Sequence, residues 1–148
     1  MRAGVVAMLL AMAACVPTPQ QQEMALRPQE SAVTARQVES RRFDTADQRL
    51  MLNAVVGVLQ DTGYTLEETN AAHGVVVASR LGGGRVRAQV TLQPSADRTA
   101  TVVRATFQRI VPRPGAMVPI GQTIREPELY QAFFEKLSQS LFLTSHEI

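Results

Sequence analysis

Few residues of this 148-residue chain have the types and spacing that chemistry requires. The two histidines are His73 and His146, and no cysteine or carboxylate stands at ligand spacing from either, so no metal centre is expected. His73 precedes Gly74 in a stretch that reads as a turn, and a nucleophile–base pair there would lack a third, orienting group. Glu67 and Glu68 are adjacent, and neighbours on a strand point to opposite faces, so they do not read as a working carboxylate pair. Gly82-Gly83-Gly84-Arg85 has the glycines of an anion cradle but lacks the following helix and the Lys-Ser/Thr of a phosphate loop. A hairpin turn accounts for it. No cofactor is implied, and the chain is expected not to be an enzyme. The remaining candidate is Cys15, the single cysteine.

Cys15 closes a segment with its own pattern. Arg2 is followed by an apolar run from Val5 to Met12, then by Ala13 and Ala14. A positive end, an apolar core too short to span a bilayer and small residues at the end have the form of a cleavable signal. The placement of Cys15 directly after Ala13-Ala14 resembles the bacterial lipoprotein signal, or lipobox, with Met12 where leucine is usual. The resemblance implies cleavage before Cys15 and attachment of lipid to that cysteine, so the membrane partner would be reached through lipid on Cys15. A buried core cysteine would need a packed element around it, and the sequence that follows is rich in Pro and Gln. Each buried methylene contributes about 0.8 kcal/mol, so several chains on one residue hold firmly. In the lipoproteins this signal resembles, aspartate after the cysteine commonly retains the chain in the inner membrane; with Val16 there, the resemblance implies sorting to the outer membrane with the domain facing the periplasm.

Cationic and acidic residues nearly balance, 15 against 13. That balance does not make the clustered basic surface that nucleic acid requires, so no nucleic-acid partner is expected. One cysteine permits no internal disulfide, so stability must come from the core. Beyond the signal, no apolar run approaches the length of a membrane span.

Three regions follow: a signal at 1–14, the lipidated cysteine and a flexible tether at 15–36, and one domain at 37–148. The tether contains Pro17, Pro19, Pro28 and Gln20-Gln21-Gln22 without a sustained period. In the domain, Gln37–Phe43 reads as an edge strand. A helix is expected from Ala46 to Asp61, opened by a capping box of Thr45 and Gln48 and stopped at Gly63. Its stripe is Leu52, Val55, Val56 and Leu59, widened by Leu50, Met51 and Val58. Residues 64–68 and 75–80 read as strands. Val86, Ala88, Val90 and Leu92 alternate with Arg87, Gln89, Thr91 and Gln93, the clearest strand signal in the chain. Residues 101–111 form its partner, and 118–124 a short edge strand restrained by Pro119. Pro127 opens a final helix whose Tyr130, Phe133, Phe134, Leu137 and Leu141 recur at helical spacing and must pack on the sheet, with Leu141-Phe142-Leu143 and Ile148 covering the first helix. The expected fold is α+β, an antiparallel sheet with two helices packed on one face in the order β-α-β-β-β-(β)-α.

Four pieces are similar to a group of bacterial outer-membrane lipoproteins with no assigned activity. They are Glu39-Ser40-Arg41-Arg42-Phe43-Asp44-Thr45, Val58-Leu59-Gln60-Asp61-Thr62-Gly63-Tyr64, Gly74-Val75-Val76-Val77-Ala78-Ser79, and Tyr130-Gln131-Ala132-Phe133-Phe134-Glu135-Lys136-Leu137. The resemblance implies an anchored envelope domain. The element order also resembles the helix-grip domains of a lipoprotein component of the β-barrel assembly machinery, an analogy of topology that does not itself give function.

If the two alternating strands pair, Arg87, Gln89, Thr91, Arg104, Thr106 and Gln108 share the face opposite the helices. Arginine and amide groups on a flat face bind carboxylates, headgroups or a partner's backbone; a plain solvated face follows from the same alternation. Two functions are therefore expected from different classes. One is a non-catalytic accessory or adapter in an envelope protein complex, using Arg87, Gln89, Arg104, Thr106 and Gln108. The other binds a small amphipathic ligand between helices and sheet.

Overall fold

The computed structural model describes residues 32–148 apart from positions 113, 116, 118, 147 and 148. Cys15, the signal and the Pro/Gln-rich stretch lie outside the described residues. Among the described residues the fold is α+β: six antiparallel strands, one for each strand segment expected, and three helices, one more than expected.

The additional helix is α1, Ala32–Glu39, where the sequence reads as the end of the tether and the start of a strand. Thr34, Ala35 and Val38 fall at helical spacing and line a small recess against Pro127 and Tyr130. Three such positions make too short a period to stand out after the proline-rich run. Strand β1 is therefore only Ser40–Phe43, and it pairs with the edge of β5, Thr101–Val111, in the register Ser40↔Arg104 to Phe43↔Thr101.

Helix α2 spans Gln48–Asp61. Its N-cap is Asp47, not Thr45: the Asp47 carboxylate accepts from the backbone N–H of Arg49 at 3.0 Å and of Leu50 at 2.9 Å. Thr45 and Gln48 instead both hold Thr101. Gln48 Nε2 donates to Thr101 Oγ1 at 2.7 Å, and Thr101 Oγ1 donates to the Thr45 carbonyl at 2.7 Å. That exchange satisfies a fully buried hydroxyl and diverts the Gln48 side chain, while Thr45 Oγ1 accepts the Asp47 N–H at 3.3 Å, so the capping box is not formed. The buried face of α2 is Met51, Ala54, Val55, Val58 and Leu59; all but Ala54 belong to the expected apolar set, of which Leu52 and Val56 are only partly covered.

Strands β2 (Thr65–Asn70), β3 (Val75–Leu81), β4 (Arg85–Pro94), β5 and β6 (Ile120–Thr123) follow as a run of antiparallel neighbours. The sheet order is β1-β5-β4-β3-β2, and β6 shares the outer edge of β5 with β1. The β2–β3 turn depends on Gly74, where φ is +61° and an added Cβ would lie 2.6 Å from the Leu92 carbonyl oxygen. The close approach is used: Leu92 N–H donates to the Gly74 carbonyl at 2.7 Å, tying the turn to β4.

Helix α3, Pro127–His146, lies with α2 on one face of the sheet. Tyr130, Phe133, Phe134 and Leu137 are buried there, Phe107 meets Tyr130 and Phe133 edge-on at 5.3 and 5.7 Å, and Phe133 meets Phe134 at 5.3 Å. Leu141 packs against this core, and Phe142 is 62% exposed; the side chain of Leu143, and Ile148, lie outside the described residues.

Candidate functional site

The alternation of β4 and β5 builds the open face. Their register sets Arg87 opposite Gln108, Gln89 opposite Thr106 and Thr91 opposite Arg104, so the five candidate contact residues form one patch. The odd positions of β3 extend it: Val75, Val77 and Ser79 align with Thr91, Gln89 and Arg87. Val77 is buried yet stands apart from the main core, lying in register between Gln89 and Glu68.

The arginines of this face are already engaged. Arg104 donates from Nη2 to Glu39 Oε2 at 2.8 Å and from Nε at 3.2 Å. The Glu39 side chain is only 12% exposed, at the point where α1 hands over to β1, whereas that of Arg104 is 50% exposed. On the other side of the patch Glu67 receives Arg85 in a close ion pair and Arg87 at 3.5 Å. The Ser79 hydroxyl, with Arg85, holds the Glu67 carboxyl below its ordinary value.

A bulge makes this possible. The β2–β3 register slips between Leu66 and Glu68, so Glu68 falls opposite Val77 and both carboxylates belong to the open face. The expectation that Glu67 and Glu68 point to opposite faces fails for that reason. They still form no catalytic pair, because the Glu67 carboxylate is committed to Ser79 and two arginines.

The centre of the patch is neutral. The side chains of Gln89 and Thr106 make no hydrogen bond among the described residues, while Thr91 Oγ1 reaches the Arg104 carbonyl at 3.5 Å. Beyond one end of β4, the Ser95–Ala100 turn folds Asp97 against the Ser95 hydroxyl, the Thr99 N–H and Arg42 at 3.2 Å. Those donors, Ser95 foremost, push the Asp97 carboxyl well below the usual range. Structural closure of the turn accounts for the cluster.

His73 caps its own turn: its N–H donates to Asn70 Oδ1 at 3.1 Å, and its Nδ1 lies 3.0 Å from the same oxygen. No group of three or more His, Cys, Asp or Glu could hold a metal among the described residues. No helix among them is long and apolar enough to cross a membrane.

A second feature lies on the helix side, between the end of α2, β3 and α3. There a cleft of about 160 Å³ is lined by Tyr64, Arg80, Phe107, Leu129, Phe133 and Lys136. Tyr64 is placed by the way α2 stops. Gly63, at φ +82°, takes the left-handed position; its N–H donates to the Gln60 carbonyl and the Tyr64 N–H to the Leu59 carbonyl, both at 2.9 Å. This double cap turns the Tyr64 ring inward against Phe107, 6.2 Å away. Its hydroxyl is the one buried side-chain polar atom without a partner among the described residues. Burial raises the phenol's pKa, and neighbouring Arg80 opposes the rise. Neither Tyr64 nor the two cations is singled out by sequence reasoning. A signal existed in the Gly63-Tyr64 pair, since a residue following a left-handed glycine cap is often drawn back onto the helix.

Comparison of the chain with protein-family models and with curated proteins finds no match to either.

Proposed function

We propose that the chain is a lipid-anchored lipoprotein of the outer membrane whose periplasmic domain has no catalytic task and holds a partner protein of the envelope on its open sheet face. The observation that supports it best is the asymmetry of the sheet. α2 and α3 cover one face, and the other presents Arg87, Gln89, Arg104, Thr106 and Gln108 side by side, with Arg87, Gln89 and Arg104 exposed and Thr106 and Gln108 half-buried. Because Arg87 and Arg104 already face Glu67 and Glu39, the face offers little unmatched positive charge to a phosphate or a headgroup. What it offers is a neutral centre of amides and hydroxyls around the buried Val77, bordered by paired charges. That chemistry suits the polar, hydrogen-bonding surface of a folded protein. The anchor on Cys15 would raise the effective concentration at one membrane and so permit a modest contact to suffice.

Two measurements test the proposal. Cys15→Ser should abolish incorporation of labelled palmitate; equal labelling of wild type and variant removes the anchor. A photocrosslinking residue at Gln89 or Thr106, in cells producing the full chain, should give the same protein adduct from both positions and none from the exposed Gln60 on α2. Adducts that are absent, or shared with Gln60, would rule out the open face as the contact.

A further inference from the structure

The cleft beside Tyr64 has a composition that a solvated surface does not require. Phe107, Leu129 and Phe133 make an apolar lining, and Arg80 and Lys136 bring two positive charges to it. Neither cation has a carboxylate partner among the described residues. Arg80 lies over the Tyr64 ring, 4.8 Å from its centre, and donates to the Thr62 carbonyl at 3.1 Å. Asp61 shares with Lys136 an adjoining cleft of about 200 Å³ without forming an ion pair. Tyr64 is 6% exposed and its hydroxyl is unpaired, a condition that costs free energy until an acceptor arrives. Elsewhere the domain satisfies its buried hydroxyls: Thr101 and Tyr130 each donate to a backbone carbonyl at 2.7 Å.

We propose that this cleft binds a single-chain amphiphile with a carboxylate head, the chain lying against Phe107, Leu129 and Phe133 and the head taken by Arg80, Lys136 and the Tyr64 hydroxyl. Two unmatched cations exclude a cationic head, and an unpaired donor beside an apolar lining selects an acceptor joined to a chain. The exposed Arg80 side chain covers the Tyr64 ring, so its movement from the ring to the head would open the phenol to the ligand. The cleft is smaller than a pocket for a drug-sized molecule, which favours a short or partly inserted chain. The inference concerns the helix side of the sheet and is independent of the open face.

Lys136 is the only lysine in the chain, so reductive methylation with ¹³C-formaldehyde labels one side chain and keeps its charge. The full chain carrying Cys15→Ser, free of detergent, is titrated with octanoate, 1-octanol and inorganic phosphate. Octanoate should shift the Lys136 resonance saturably, with octanol at least about tenfold weaker and phosphate not saturating. Tyr64→Phe should weaken octanoate about tenfold while leaving the melting temperature unchanged or higher, because it deletes an unpaired hydroxyl. Arg80→Gln should weaken octanoate to a similar extent, and Gln89→Ala on the opposite face should not. Octanol binding as tightly as octanoate would reduce the cleft to an apolar crevice, and phosphate doing so would reduce it to a simple anion site. Either result overturns the proposal, as does wild-type octanoate affinity in both Tyr64→Phe and Arg80→Gln.

Discussion

The two faces of the sheet are written by the same alternating strands and held together by different physics. On the helix side, Ala88, Val90, Leu92, Val103, Ala105 and Phe107 meet α2 and α3, and burial of apolar area supplies the stability. On the open side, Arg85, Arg87 and Arg104 are balanced by Glu67 and Glu39, so order comes from paired charges at the edges of a neutral centre. A face arranged that way limits nonspecific attraction while keeping its hydrogen-bonding groups available. Truncating side chains on the two faces should therefore give effects of different size and different dependence on solvent.

The largest effect belongs to the helix side. Phe134 is 1% exposed, meets Phe43 at 6.4 Å and has the Arg41 guanidinium over its ring at 5.0 Å. Phe134→Ala should cost about 3–5 kcal/mol, a large part of a small domain's stability. Gln131→Ala, on the exposed side of the same helix, should cost less than about 0.5 kcal/mol. Urea denaturation of both variants is the measurement, and equal midpoints would mean that α3 does not bury this face.

Next in size is the Glu39–Arg104 pair, which joins α1 to β5. Because the arginine is half exposed, each of Glu39→Gln and Arg104→Ala should cost only about 1 kcal/mol, with a double mutant little worse than either single one. Additive losses would show that the two side chains do not cooperate. For the same reason, reversing Arg104 to glutamate is a poor probe of partner contact, since it sets a carboxylate against Glu39.

How much of this was legible in the sequence depends on the range over which each feature is encoded. The β4–β5 pairing and the α3 stripe repeat every two or every three to four residues, so Val90, Phe107 and Phe134 could be placed on the buried side from spacing alone. The five open-face residues follow from the complementary phase of the same alternation. Helix α1 was not visible because eight residues after a Pro- and Gln-rich stretch carry little period. The cap of α2 went to Asp47, and Gln48, expected in the capping box, instead holds a buried Thr101 more than fifty residues away, which local pattern cannot report. The Glu39–Arg104 contact and the cleft at Tyr64, Arg80 and Lys136 join distant segments, and only the assembled sheet brings them together.

Acid sharpens the contrast between the faces. The Glu67 carboxyl is held below its ordinary value of 4.5, first by the Ser79 hydroxyl and then by Arg85. A depressed folded value contributes stability that is fully present above the unfolded value and is lost as pH falls through the folded one. Wild type should therefore weaken as pH drops below about 4.5, and Glu67→Gln should show a smaller difference between about pH 6 and about pH 3. Asp97, also depressed, contributes in the same direction and leaves a residual slope in the variant. An identical acid slope with and without Glu67 would remove it from the network.

The smallest effect is expected at the centre of the open face, and its smallness is the informative part. Gln89 is exposed, Thr106 half-buried, and neither side chain forms a hydrogen bond among the described residues. Gln89→Thr and Thr106→Val keep strand-compatible shapes, and Thr106→Val also keeps the β-branch that suits a pleated surface. Each should change stability by less than about 0.5 kcal/mol. Val77 beneath them stays covered, so no new apolar surface opens at the core. If these two positions hold a partner, the same substitutions should diminish the protein adduct formed from a photocrosslinking residue at neighbouring Gln108 while the melting temperature stays at its wild-type value. Gln93→Ala, further along β4 opposite Val102, serves as the control and should alter neither quantity. A large loss of stability from Gln89→Thr or Thr106→Val would assign these side chains to the fold itself. An unchanged adduct in a stable double variant would move the contact away from the centre of the patch.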